Sequence, residues 1–254
     1  WGEFGTVLKE GPAEDFANRE KIAGLLRFAS TAGEGNVQSV ALDAYIERMK
    51  EGQEAIYFIT ADSHAAAANS PHLEIFKKKG VEVLLLSERI DEWLMSHLTS
   101  YKDKPLRSVT RGALDLGKLE DEAEKKAHEE QEKAAAPVVE RLQKALGDKV
   151  KAVRATSRLT DSPACIVTDE QDPSSQMVKL MKAVGQKAPE VKYILEVNAS
   201  HPLVTRLEQI SDEPLLADWA ELLLDQAYLA EQGGLDDPSR FVSRVNRLLL
   251  QSIG

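Results

Sequence analysis

Thr60-Ala61-Asp62-Ser63-His64 sets a carboxylate, a hydroxyl and an imidazole side by side, the residue types of a hydrolase or nucleotide site. The stretch follows an apolar run, and doubly wound sheets bind ligands at the carboxyl ends of their strands. A simpler reading is favoured: Asp62 or Ser63 caps the helix that follows. The histidines at 64, 72, 97, 128 and 201 are scattered, with no His-Glu-x-x-His pair and no Gly-x-Ser-x-Gly elbow. Metal and acyl-transfer chemistry therefore lack a scaffold. No Gly-x-x-x-x-Gly-Lys-Ser/Thr loop is present, and Gly2-Glu3-Phe4-Gly5 follows no strand, so no phosphate cradle is expected. Cys165 is the single cysteine and lies in the strand-like run Pro163-Ala164-Cys165-Ile166-Val167. A buried, inert thiol fits it better than a catalytic one, and a reducing cytosol fits a chain without a disulfide framework.

More is carried by apolar spacing. Pro173-Ser174-Ser175-Gln176-Met177-Val178-Lys179-Leu180-Met181-Lys182-Ala183-Val184-Gly185 predicts a short helix, with Pro173 at its first position and Gly185 at its stop. Met177, Leu180, Met181 and Val184 share one face. Methionine adapts its shape to varied apolar partners, although spacing alone favours packing of this face on its own domain. From Pro214 to Ala230 the apolar residues, Trp219, Leu222, Leu223 and Leu224 among them, spread wider than a surface stripe and predict burial on two sides. After Gly233-Gly234, Asp237-Pro238 opens a last helix with Phe241, Val242, Val245, Leu248, Leu249, Leu250 and Ile253. Two such broad-faced helices favour a subunit interface over a wholly internal core.

The elements that position these residues are legible in outline. One or two helices between Ala13 and Ala29 and a helix through Leu42, Tyr45, Ile46 and Met49, closed by Gly52, lead to the strand Ala55–Thr60. A helical stretch from Asp62 to Lys79 joins it to a second strand, Val81–Leu86, which is a βαβ unit with parallel strands. Ser87 is expected to cap a third helix carrying Ile90, Trp93, Leu94 and Leu98. Asp115 to Ala136 is nearly all charged or alanine, with Glu/Lys pairs that support an exposed helix, and a domain boundary is placed at its end near Pro137. Beyond it follow helix 138–146, strands 150–156 and 164–168, the methionine helix, strand 192–197 and two or three terminal helices. This order predicts an α+β domain with its helices gathered at the end.

A length of 254 residues is enough for two domains with cores of their own. The apolar share of 43% and charged share of 29% are ordinary for globular chains, and no apolar run approaches the roughly 18 residues that cross a bilayer. A net charge of −10 without a basic cluster disfavours nucleic acid, so neither nucleic acid nor membrane is an expected partner.

Lys9-Glu10-Gly11-Pro12-Ala13-Glu14-Asp15, Leu25 to Thr31, Tyr57 to Ser63, Glu82 to Leu86 and Arg89 to Trp93 resemble the middle domain of the heat-shock protein 90 family. Arg158 to Pro163, Glu190 to Ile194 and Glu221 to Ala227 resemble its C-terminal domain, bacterial branch. The likeness runs nearly end to end and is weakest over the charged helix. It implies an α/β rear part of the middle domain over residues 1–125 and an α+β dimerisation domain over 126–254, with a helical bundle shared between two subunits. The bundle would use Trp219, Leu222, Leu223, Leu224, Phe241, Val245, Leu248 and Leu249. Client contact is implied at Glu92, Trp93 and the position of Ser96, and at Met177, Leu180 and Met181. Ser96 and Pro173 depart from the best-known bacterial member of the family, in which Asn and Met are expected at these positions.

The resemblance further implies a homodimer that holds partly folded client proteins, with co-chaperones as further partners. ATP and magnesium chemistry is expected upstream of Trp1, so no cofactor and no enzymatic activity are expected of these residues. The ending Gln251-Ser252-Ile253-Gly254 lacks the eukaryotic Glu-Glu-Val-Asp tail and an endoplasmic-reticulum signal, which suits a bacterial cytoplasm. Two rivals remain: an enzyme acting near Asp62, and a passive dimerisation module that holds no client.

Overall fold

A computed structural model describes residues 1–253; Gly254 and the side chains of Ser252 and Ile253, all part of the expected chain end, lie outside the described residues. In chain order, α1 (Gly5–Leu8), α2 (Gly11–Glu14) and α3 (Arg19–Leu25) precede β1 (Ala29–Ser30), α4 (Leu42–Glu47) and β2 (Ile56–Thr60). Next come α5 (His64–Ala68), α6 (Glu74–Lys79), β3 (Val83–Leu86), α7 (Arg89–His97), β4 (Ser100–Tyr101) and β5 (Lys104–Ser108). The remainder is α8 (Glu122–Leu146), β6 (Ala152–Ala155), β7 (Ala164–Val167), α9 (Ser175–Ala183), β8 (Ile194–Val197), α10 (Pro202–Leu207), α11 (Glu213–Gln232) and α12 (Pro238–Ile253). The chain is thus mixed α and β, with two sheets and helices around them.

Two compact units emerge. The first takes Trp1–Thr110, Asp115–Glu120 and Ser174–Pro189; the second takes Arg111–Leu114, Asp121–Pro173 and Glu190–Gly254. The methionine helix α9 therefore packs as part of the first unit.

In the first unit the strand order is β1-β3-β2-β5-β4. β2 and β3 run parallel with Phe58 opposite Leu84, which is the expected βαβ unit. Its crossover is broken where Pro71 follows Ser70: Ser70 is extended and its Oγ accepts from the His72 N–H, so α5 and α6 are separate helices. Ser63 Oγ accepts from the Ala66 N–H, the helix-capping role expected at this strand end. The β4–β5 hairpin, absent from the sequence expectations, turns on Lys102 and Asp103, whose φ angles are 46° and 62°. Two consecutive left-handed residues make a turn that matches the twist of paired strands. Leu26, Phe28, Leu42, Tyr45, Ile56, Phe58, Leu84 and Leu94 are buried together as the core. Within it the Tyr45 hydroxyl donates to the Glu82 carbonyl at 2.6 Å and accepts from Tyr57 N–H and Gln53 Nε2, both at 3.0 Å. Burial pushes this phenol well above its ordinary pKa, so it remains a donor.

The N-cap of α7 is Glu88, not Ser87. The Glu88 carboxylate accepts from the Asp91 N–H while Asp91 Oδ2 accepts from the Glu88 N–H at 2.9 Å. This reciprocal box satisfies two orphan donors, which a single serine one residue earlier would not do.

In the second unit β8 is central, parallel to β6 and antiparallel to β7. Cys165 lies buried in β7, as expected of an inert thiol. α8 runs unbroken through Pro137, so the expected interruption there is corrected. Pro137 is exposed, as is Lys133, whose carbonyl loses its helical partner, and water can serve it. On the opposite side Ala135, Val138, Leu142 and Leu146 are buried against Leu195, Leu216, Ala220 and Leu223, and this packing keeps the helix continuous through the proline. Pro202 and Pro214 sit in the first turns of α10 and α11, and Asp237 Oδ1 accepts from the Arg240 N–H at the start of α12. Pro173, by contrast, precedes the cap Ser174 and does not occupy the first helical position.

Candidate functional site

α7 and α9 pack together in the first unit and bring the sequence-predicted residues of both helices to one place. The start of α7 is fixed from below. Lys9, 1% exposed, donates to Glu88 Oε2 at 2.6 Å and to Asp91 Oδ1 at 2.7 Å. One turn further, Glu92 Oε2 accepts from Ser174 Oγ at 2.8 Å, and the same hydroxyl accepts from the Met177 N–H at 3.0 Å. Ser174 thus caps α9 and ties it to α7. Lys179 of α9 pairs with Asp62, just past the carboxyl end of β2.

The apolar side chains divide by exposure. Val178 is buried, whereas Met177, Leu180 and Met181 are half-buried and Val184 is exposed. On α7, Trp93 is 47% exposed and its ring lies 4.3 Å from that of His97, centre to centre. Ser96 is exposed and its Oγ donates to the Trp93 carbonyl at 2.7 Å. A cavity of about 450 Å³ remains at the strand ends, lined by Thr60, Leu86, Arg89, Glu92, Gln176 and Leu180 among others.

What this arrangement can do follows from its charges. Asp62, Glu88 and Glu92 face the cavity with Arg89 and Lys179, so carboxylates outnumber cations. Asp62 pairs with Lys179, and the surplus of negative charge opposes a polyphosphate here. Among the described residues no group of three or more His, Cys, Asp or Glu is placed to hold a metal ion. The half-exposed Trp and Met side chains offer instead an adaptable apolar surface with a polar rim.

The other predicted set lies on α11 and α12. Leu222, Leu223, Leu224 and Leu248 are buried within the second unit; Trp219, Phe241 and Val245 are half-buried and Leu249 is exposed. Val242 and Leu250 are also exposed, at 53% and 73%. A charge array joins the two helices: Arg244, 5% exposed, pairs with Glu221 and Asp225, and Arg247 pairs with Asp218. Sequence reasoning missed it, although the matched spacing of acids on one helix and arginines on the next was a readable signal.

The family model described as "Hsp90 protein" matches residues 1–254, the entire chain. The chain belongs to the Hsp90 family. It is 66% identical over 254 residues to the chaperone protein HtpG of Shewanella amazonensis, covering all of this chain and 40% of that protein. It is 64% identical over 252 residues to the HtpG of Idiomarina loihiensis and 61% identical over 251 residues to that of Pseudoalteromonas translucida, covering 39% of each. This Hsp90-family chain therefore spans about 40% of the length of the curated relatives it matches. Among its described residues no helix is long and apolar enough to cross a membrane.

Proposed function

We propose that these residues are the client-holding and dimerising part of a bacterial chaperone. The observation that carries this reading is the α7–α9 pair: Trp93 is held out by a helix anchored on Lys9, and Met177, Leu180 and Met181 lie half-open on the helix tied to it. Such a surface binds each client segment weakly and without strict sequence demand. Two copies joined through α11 and α12 would offer it twice, and simultaneous engagement raises avidity by about 100-fold or more. We assign ATP and magnesium chemistry to the part of the relatives that this chain does not span, place the protein in the cytoplasm, and leave co-chaperones as further partners.

The test is suppression of aggregation of a thermally unfolding client. Trp93→Ser combined with Met181→Ser should lower that suppression at least about fivefold while the solution mass is unchanged, since burying one such side chain is worth about 1.5–3 kcal/mol. Unaltered suppression would sink the client surface and leave a passive dimerisation module.

For the dimer, Leu223 is the wrong probe because it is buried in its own unit. Leu249→Asp with Leu250→Asp changes exposed positions instead. Sedimentation across micromolar to nanomolar protein should show dimer dissociation strengthened at least about tenfold, as the loss of one buried leucine alone exceeds about 1.4 kcal/mol. A clean monomer for the unchanged chain at every concentration would remove the avidity mechanism.

A further inference from the structure

The seat of α9 has the chemistry of a receptor, with α9 as its ligand. Its floor is the carboxyl end of β2 and β3 and its wall is α7. The helix delivers one buried apolar residue, Val178, one cation, Lys179 to Asp62, and one hydroxyl, Ser174 to Glu92.

The fit is incomplete in two ways. Glu92 Oε1 and Gln176 Nε2 are both buried without a hydrogen-bond partner, and each such group opposes docking. A solvent-open cavity of about 450 Å³ also lies beside Gln176, Leu180 and Ala183. A helix with longer apolar side chains at those positions would bury more surface than α9 does.

We propose that this groove binds amphipathic helices that carry a Lys or Arg beside their apolar stripe, and that α9 is its resident, displaceable occupant. The inference rests on the client reading above and specifies it: client helices of this pattern compete with α9 for the groove in the helix-in-groove mode. While α9 is seated, the apparent affinity for a client helix is reduced by the fraction of chains whose groove is free. Once displaced, α9 presents Val178 along with its methionines, so the occupied state gains a second apolar contact.

The probe is a fluorescein-labelled peptide of residues 173–186. Val178→Asp, which unseats α9, should bind it at least about tenfold tighter than the unchanged chain. Lys179→Glu alters a side chain that is only partly buried and leaves the core intact. By setting a second carboxylate against Asp62 it should tighten peptide binding about three- to fivefold. Asp62→Lys in the Val178→Asp chain should weaken the peptide by a similar factor, and a peptide with Lys179→Glu should recover it. Equal affinity in all chains, or indifference to the charge exchange, overturns the proposal. Client aggregation is followed in parallel. If it is still suppressed while the peptide fails, the groove inference falls and the client reading stands. If Trp93→Ser with Met181→Ser leaves suppression intact, the client reading falls whatever the peptide does.

Discussion

Glu196→Gln should destabilise the second unit by about 3–5 kcal/mol, measured by urea unfolding at pH 7, because it removes the buried carboxylate that pairs with a buried guanidinium. Glu196 and Arg158 are each 1% exposed, joined by a 2.8 Å hydrogen bond from Arg158 Nε to Glu196 Oε2. Arg154 completes the set from the neighbouring strand, with Nη2 2.6 Å from Glu196 Oε1. Arg154 is about one-third exposed and can turn to water, but Arg158 can neither move out nor lose its proton. A double replacement, Glu196→Leu with Arg158→Met, should regain much of the loss, since a buried ion pair gains little over well-packed apolar groups.

The same site sets an acid limit. Burial works to raise the Glu196 pKa, but Arg158 and then Arg154 more than offset it and hold the carboxyl below its ordinary value. A depressed folded pKa means that the unfolded chain takes up the proton first as pH falls. The stabilisation is whole above the unfolded value of about 4.3 and is lost as pH drops through the folded one. The Glu196→Gln unit should lack this part of the acid transition.

Lys9→Met should cost the first unit about 3–5 kcal/mol at pH 7, read by the same unfolding assay. It leaves Asp91, 2% exposed at its side chain, as an unpaired buried charge. The pKa of Asp91 in the folded state is shifted in the opposite direction to that of Glu196. Burial pushes Asp91 above the ordinary carboxylate value even with Lys9 pulling it down. A raised folded pKa means the folded state takes the proton first, so the penalty of losing Lys9 should shrink as pH falls toward about 5. A penalty constant from about pH 8 to about pH 5 would show that Lys9 acts by packing alone, over the Phe28 ring 5.5 Å away. Because Lys9 anchors the start of α7, the variant should also weaken client suppression in proportion to the loss of that helix.

Patterns with strong periodicity were readable in the sequence. The parallel pair β2 and β3 announced itself as two apolar runs with a helix between, and Asp237-Pro238 marked the start of α12 at the right residue. Local signals failed where two competed. Pro137 reads as a helix breaker, but the buried stripe Val138, Leu142, Leu146 overrides it from the far face. The β4–β5 hairpin was invisible because Lys102 and Asp103 are not the usual residues for a left-handed turn. At the site, the apolar face of α9 was legible from spacing, but its partner was not. Nothing local in Met177 to Met181 says that Asp62, 117 positions away, will receive Lys179. Helical spacing fixes what a face offers and leaves open what it meets.

The long helix α8 has a consequence of another kind. Between Glu122 and Ala134 no side chain is buried, while Ala135 onward is seated in the core. Its leading half is thus helix without a buried face, carried by a rear half that has one. Stability there depends on little beyond helix-forming type and alternation of charge, so single exchanges among such residues should leave the fold unchanged. It is the stretch of this chain where the physics asks least of each letter.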